Sequence, residues 1–465
     1  MTKIIITNSL DNHALSCEQN KGSAGVAICT IKLLKDYVPN AQLASFIQFT
    51  DGFADNLGVR VIENKRFPTT RYSCRTMLES SLNLVRCMLW ALVHKRCSLV
   101  AKALVNNRQL REYSSADVVI DLGLDTYSDD YGILSVVEHS KDVLLGVVLK
   151  KPVVVWAQSL GPFRSKLTSW LVKFTLNRVA LITVREEMSL DHLRKLGVDA
   201  PPIHLTADPA FLLEPASGRT ARGILSREGI EVTDRPLVGL TMSWSSLIGG
   251  AERPRYWQMM KEGYWAMRAL LPQRLFQLML RVASRFKHLD MSSYLDTKEI
   301  AQIADCLVEK LDAIVVLLPH DYNPVADDRV LLGEALKRVK QRDRVRLLTG
   351  DYSVQELKAV IGQCALFIGG KMHANIAALS MHVPTVAVQY SSKFHGIMRM
   401  LGQEQYICDT LTAQVVRSKV DEAWANREKI RAELEIKLES ARKQASLNGE
   451  LVRELLNSYA PRSGS

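Results

Sequence analysis

"LFIGGKMHANIAALSMHVPTVAVQY" (residues 366–390) opens on an unbroken apolar run, passes through two glycines into an alanine-rich stretch, and ends on a second apolar run led by Pro384. An apolar run without alternation fits a strand buried on both faces, and the order strand, helix, strand is a βα repeat around a parallel sheet. Gly369, Gly370, Lys371 and His373 lie at the turn between strand and helix. There the first backbone N–H groups of the helix lack intrahelical partners and the helix dipole adds positive charge, so an anion is favoured. Glycine allows close approach to the backbone, and Lys371 and His373 can both reach a group docked at the turn. The alternative is a solvated Lys371 and a hydrogen-bonded interior His373.

The same grammar extends in both directions. Strand patterns occur at 3–9, 43–49, 59–64, 117–123, 152–159 and 181–186, then at 237–243, 313–320, 345–351, 365–370 and 384–390, with helical stretches between. This predicts an α/β protein of two Rossmann-like domains facing a cleft. The polar stretch 213–236, rich in Gly, Pro, Ser and Thr, marks the boundary. The expected organisation is an N-terminal domain over 1–215, a linker over 216–236, a C-terminal domain over 237–410 and charged helices over 411–465. In open α/β sheets ligands bind beyond the carboxyl ends of the strands. Polar clusters fall there at Asn20 to Gly22, Asp121 to Asp125, 158–163, Arg185 with Glu186, and Gly369 to His373.

Composition narrows the function. The 465 residues are 47% hydrophobic and 7% aromatic, which suits a globular protein of two or three domains. No stretch approaches the roughly 20 apolar residues that span a bilayer, and the N-terminus has no signal-peptide pattern, so a cytoplasmic location is expected. The eight cysteines form no C-x-x-C pair, which indicates neither a zinc site nor a disulfide framework, and no metal is expected. The net charge of +11 is local: residues 65–113 carry +8 and residues 244–292 carry +5. Such clustering points to binding surfaces.

"WAQSLGPF" (156–163), "TVREEMSLDHLRKLGV" (183–198), "TADPAFLL" (206–213) and the block from Gly369 to Gly402 resemble, in order and spacing, the polysaccharide pyruvyl transferase family. "NKGSAGVAICTIKLL" (20–34) is a weaker match to the family's opening helix. The resemblance implies a GT-B-like fold with an N-terminal acceptor side and a C-terminal donor side. It also implies transfer of a carboxyethylidene group from phosphoenolpyruvate to two hydroxyls of one sugar, with no further cofactor. By position, His373 becomes the acid and Lys371 the donor ligand, beside Gly370 and Asn375 in the same block. Arg185, in the family's R-E/D-x-x-S stretch, is a second donor ligand, and Lys393 adds charge after Tyr390. The family usually has arginine where Lys371 stands, and a lysine cannot clamp an oxyanion bidentately. Asp121 and Asp125, in "DLGLDTYSDDYG" (121–132), would repel an anionic donor and are placed at the acceptor hydroxyls, Asp121 as a base, with Asn20 also on the acceptor side. His320, at a strand end, is a weaker candidate.

Two basic segments stand outside this pattern. Residues 273–287 place Arg274, Arg281 and Arg285 within about 40° on a helix, an insertion suited to an anionic membrane or to packing on the C-terminal sheet. In 76–105, read as one helix, Arg86 and Lys95 face opposite sides, which argues against a simple membrane stripe. No nucleic-acid module accompanies either. The expected partners are phosphoenolpyruvate, a sugar or lipid-linked oligosaccharide acceptor and an anionic membrane surface. The alternatives are a GT-B nucleotide-sugar glycosyltransferase and a non-catalytic glycan-binding relative.

Overall fold

The computed structural model describes residues 1–7, 17–47, 49–62, 74–231, 233–243, 297–322, 327–389 and 393–459. The chain divides into two compact units: one of Met1–Cys17, Val26–Leu212 and Arg442–Ser465, the other of Glu18–Gly25 and Leu213–Ala441.

The first unit is built on a seven-stranded sheet. Its strands are β1 (Lys3–Thr7), β2 (Gln42–Ser45), β3 (Arg60–Val61), β4 (Val118–Asp121), β5 (Val153–Gln158), β6 (Leu181–Val184) and β7 (Ile203–Leu205), in the order β3-β2-β1-β4-β5-β6-β7. Every pairing is parallel, with Ile5 opposite Val119 and Ile120 opposite Val154. The central strands β1, β4, β5 and β6 are largely β-branched and apolar because both their faces are covered. Ile5, Val119, Val153, Val155, Ile182 and Val184 point into one hydrophobic cluster, which helices Cys74–Val93, Ile133–Val148 and Lys166–Leu176 complete.

The second unit repeats the plan with six strands: β8 (Leu237–Thr241), β9 (Ile314–Leu317), β10 (Val345–Leu347), β11 (Leu366–Gly369), β12 (Thr385–Val388) and β13 (Ile407–Cys408), ordered β10-β9-β8-β11-β12-β13 and again all parallel. The sequence pattern missed β7 and β13, which are two or three residues long and sit at sheet edges.

The stretch expected to be a linker is folded. Ser217 caps helix Gly218–Arg227 by accepting from the N–H of Thr220, and Ala221, Ile224 and Leu225 enter the second unit's core beside Leu357, Val360 and Ile361. Glu228, just beyond, accepts hydrogen bonds from the N–H of Thr349 and of Gly350 and from the hydroxyl of Tyr352. The stretch 76–105 is not one helix: it breaks after Val93 and restarts at Ser98–Leu104, so the comparison of Arg86 with Lys95 does not apply. The insertion 244–292 and Tyr390 lie outside the described residues.

Candidate active site

In the second unit, the ends of β9 and β11 and the start of helix Lys21–Tyr37 supply one cluster. Lys371 is the N-cap of helix Met372–Leu379, in extended conformation and without a side-chain cap bond. Gly369 has to be glycine, since a Cβ there would lie 1.7 Å from Oδ1 of Asn375. Asn375 fixes the turn by donating Nδ2 to the Gly369 carbonyl at 3.0 Å, and Gly370 donates its N–H to the Thr241 carbonyl at the end of β8. These two residues shape the backbone of the turn.

The Lys371 side chain runs to two carboxylates, Asp321 at 3.2 Å and Asp328 at 3.1 Å. Asp328 is fully buried, and its Oδ2 also accepts the N–H groups of His320 and Asp321 at 3.0 and 2.8 Å. Asn20 bridges Asp321 through the backbone and donates Nδ2 to its carboxylate. Lys21 pairs with Asp351 at 2.6 Å and lies 4.4 Å over the Tyr322 ring. His373 packs on the first turn of helix Lys21–Tyr37, where a Cβ on Gly22 would come within 2.5 Å of its Nδ1. Lys371, His373, Asn20, Asn375, Gly370 and His320 are thus brought together, although Asn20 was expected elsewhere.

The charge balance is not that of a bare cationic turn. Burial alone lowers Lys371, but Asp321 and Asp328 overturn that and hold it charged, above the ordinary range. Asp328 does not fall as a simple ion-pair partner would. Burial pushes it up to about 7, with Asp321 adding to the rise and Lys371 opposing it. Its Oδ1 finds no hydrogen-bond partner among the described residues, so burial outweighs the pairing. His320 is buried and lies well below its usual value, first through burial and then through Lys371, His373 and Lys21, so it is neutral. Sequence reasoning missed Asp321 and Asp328; the available signal was an aspartate directly after a strand-end histidine. Lys393 opens helix Lys393–Met400, buried, and burial lowers it to about 7.

In the first unit, Asp121 ends β4 but faces inward, only 1% exposed. Nε2 of His139 reaches its two oxygens at 3.0 and 2.9 Å, and Gln158 donates to Oδ2 at 2.9 Å. The expected base is therefore a buried anchor: its carboxylate joins the end of β4 to Gln158 at the end of β5 and to the fully buried His139, whose Nδ1 lies 3.2 Å from Thr126 Oγ1 in the loop 122–132. Asp125 in that loop is partly exposed and accepts from the Tyr131 hydroxyl at 2.8 Å. Arg185 is fully buried, paired with buried Asp208 at 2.6 Å and donating Nε to Ser159 at 2.8 Å. That ion pair ties the ends of β5 and β6 to the turn after β7 and gives Arg185 a structural role, while its Nη2 has no hydrogen-bond partner among the described residues.

Two parallel sheets built from βα units, with a polar cluster at the strand ends, define the GT-B-like class of α/β proteins. Solved structures of that architecture align over nearly the whole chain: Anabaena HepE in complex with UDP at TM-score 0.54 and 13% identity, covering 98% of this chain and 100% of that one, and a putative UDP-N-acetylglucosamine 2-epimerase from Listeria monocytogenes at TM-score 0.56 and 10% identity, covering 98% and 96%. At these identities the likeness is one of fold. The chain belongs to the polysaccharide pyruvyl transferase family, whose profile matches residues 20–392. It is also 24% identical over 341 residues to the amylovoran biosynthesis protein AmsJ of Erwinia amylovora, covering 72% of this chain and 71% of that one. Membership makes it a transferase of the polysaccharide-modifying kind. No helix among the described residues is long and apolar enough to cross a membrane.

Proposed function

We propose that this protein transfers the carboxyethylidene group of phosphoenolpyruvate to two hydroxyls of one sugar in a cell-envelope polysaccharide or its lipid-linked precursor. The observation that carries the reading is the pairing of Lys371 with His373 at the first turn of helix Met372–Leu379, inside the segment that the family profile matches. The chemistry balances without a redox partner. A proton is delivered to C3 of the enol, one hydroxyl adds at C2, phosphate leaves, the second hydroxyl closes the ketal, and the two hydroxyl protons replace the one delivered and protonate the phosphate.

His373 is assigned as the acid and the helix N-terminus with Lys371 as the donor's anion site. The two aspartates on Lys371 supply a condition for that role. With Asp328 raised to about 7, part of the population carries its proton at neutral pH, and Lys371 is then opposed by Asp321 alone. Anion binding should therefore strengthen as pH falls through 7.

The test is phosphate release from phosphoenolpyruvate in the presence of candidate oligosaccharide acceptors. Release that His373→Ala abolishes supports the reading, and release unchanged by that substitution removes the acid role. Thermal stabilisation by a UDP-sugar with none by phosphoenolpyruvate would replace the reading with glycosyl transfer.

A further inference from the structure

Helix Cys74–Val93 covers the sheet of the first unit with Asn83 and Cys87 inward and with Leu84 and Trp90 against the core. On its opposite side Leu78, Leu82, Val85, Leu89 and Leu92 are 45–71% exposed. At 100° per residue those five positions fall within about 80° of the circumference, a continuous apolar stripe four turns long. Helix Ser98–Leu104 follows with Leu99 exposed.

Helix Lys166–Leu176 has the same character. Helix Ile133–Val148 lies between it and helix Cys74–Val93, packed on both, and all three bury their inner residues in one cluster. Val172 and Leu176 of Lys166–Leu176 point inward while Leu167, Trp170 and Phe174 are exposed. Trp170 and Phe174 stack at 5.6 Å, and the Arg178 guanidinium lies 3.8 Å over the Phe174 ring.

The charges beside these surfaces are predominantly positive. Between Leu82 and Arg111 there is no acidic residue, while Arg86, Lys95, Arg96, Lys102, Arg108 and Arg111 are all exposed. Between Arg164 and Arg178 there is again none, and Lys166 and Lys173 are exposed between them. Helix Cys74–Val93 has one acidic residue, Glu79, next to Leu78 in sequence; of the acids in neighbouring elements, Asp130 pairs with Arg164, Glu138 with Lys141, and Glu112 with Lys3 and Arg60.

We propose that this face of the first unit docks on an anionic bilayer, with the leucine stripe and the Trp170–Phe174 pair entering the headgroup region and the flanking cations facing lipid phosphates. An apolar stripe alone would suit any apolar partner. The bilayer is selected by charge complementarity, because two separate helices of the face carry exposed leucine or aromatic residues with cations in excess beside them, and by the Trp170–Phe174 pair at the outer surface of the second. The inference goes beyond the proposed transfer reaction and is independent of its donor.

The test is co-sedimentation of the full chain with vesicles of phosphatidylcholine alone and of phosphatidylcholine mixed with phosphatidylglycerol, beside its mass in solution by light scattering. The expected result is binding to the anionic vesicles only, weakened by salt. Leu82→Glu and Leu89→Glu together, both on the solvent side, should weaken it by about a hundredfold, on the order of tenfold for each leucine removed. Arg86→Glu should weaken it further with melting temperature unchanged. Absence of wild-type binding, binding that the leucine variant retains, or a wild-type dimer that this variant dissociates into monomers would each overturn the proposal, the last by assigning the face to a second copy.

Discussion

Replacing Arg185 by methionine should destabilise the protein by about 3–5 kcal/mol, the usual cost of stranding one partner of a buried ion pair. Its guanidinium lies 2.6 Å from Asp208, and both side chains are fully buried. At that separation and an effective dielectric of about 20 the attraction is about 6 kcal/mol, an upper bound that relaxation around Asp208 reduces. Asp208 would keep the hydrogen bond from the Ala210 N–H at 2.9 Å, a neutral donor that does not replace the charge of the guanidinium. Asp208→Leu should cost a similar amount by stranding the cation. The double variant should recover most of it and fall within about 2 kcal/mol of wild type, a coupling of about 3 kcal/mol or more. Urea-induced unfolding at pH 7 measures all four proteins, with phosphate release from phosphoenolpyruvate followed in parallel. Single variants that lose less than about 1 kcal/mol, or a double variant as unstable as the sum of the singles, would refute the structural reading of Arg185. A stable Arg185→Met protein with weakened phosphoenolpyruvate binding would return it to the donor site.

Three further outcomes are expected. Gly123→Ala should destabilise by about 3 kcal/mol in urea, because the new Cβ would lie 1.9 Å from Cε1 of the buried His139; Gly52→Ala, with nothing within 4 Å, should be neutral or slightly stabilising. Glu112 is lowered to about 2, chiefly by its hydrogen bond from Arg60 and also by Lys3. The stability it contributes is therefore present above about 4.5 and lost as pH falls toward 2, and Glu112→Gln should flatten that part of the acid-unfolding curve by about 1 kcal/mol, Arg60 being half exposed. Lys393 is lowered to about 7 by burial, so the unfolded chain binds the extra proton between about 7 and 10.5 and stability rises with pH there; Lys393→Met should remove that rise, and an unchanged slope would show that the amine stays charged in the fold.

Where the sequence was legible, local information was enough. "KIIIT" and "VVVWAQ" are apolar at successive positions, which only a strand covered on both faces tolerates, and that property belongs to the segment itself. The Gly-Gly-Lys-x-His turn was legible for the same reason, since strand end, glycines and helix start are contiguous. Short edge strands such as Ile407–Cys408 gave no pattern, because two residues have no period. The apolar stripe of helix Cys74–Val93 was hidden by treating Arg86 and Lys95 as members of one helix.

By itself, then, the sequence determined two parallel α/β sheets, the position of their strand ends and the identity of the groups placed there. Only the tertiary structure decided what those groups do. Lys371 lies 50 residues from Asp321, and Asp121 and Arg185 lie 18 and 23 residues from His139 and Asp208. A sequence records that a side chain ionises; whether its charge meets solvent, a ligand or an opposite charge depends on which distant segments the fold brings within about 3 Å, where Coulomb and desolvation terms are both largest.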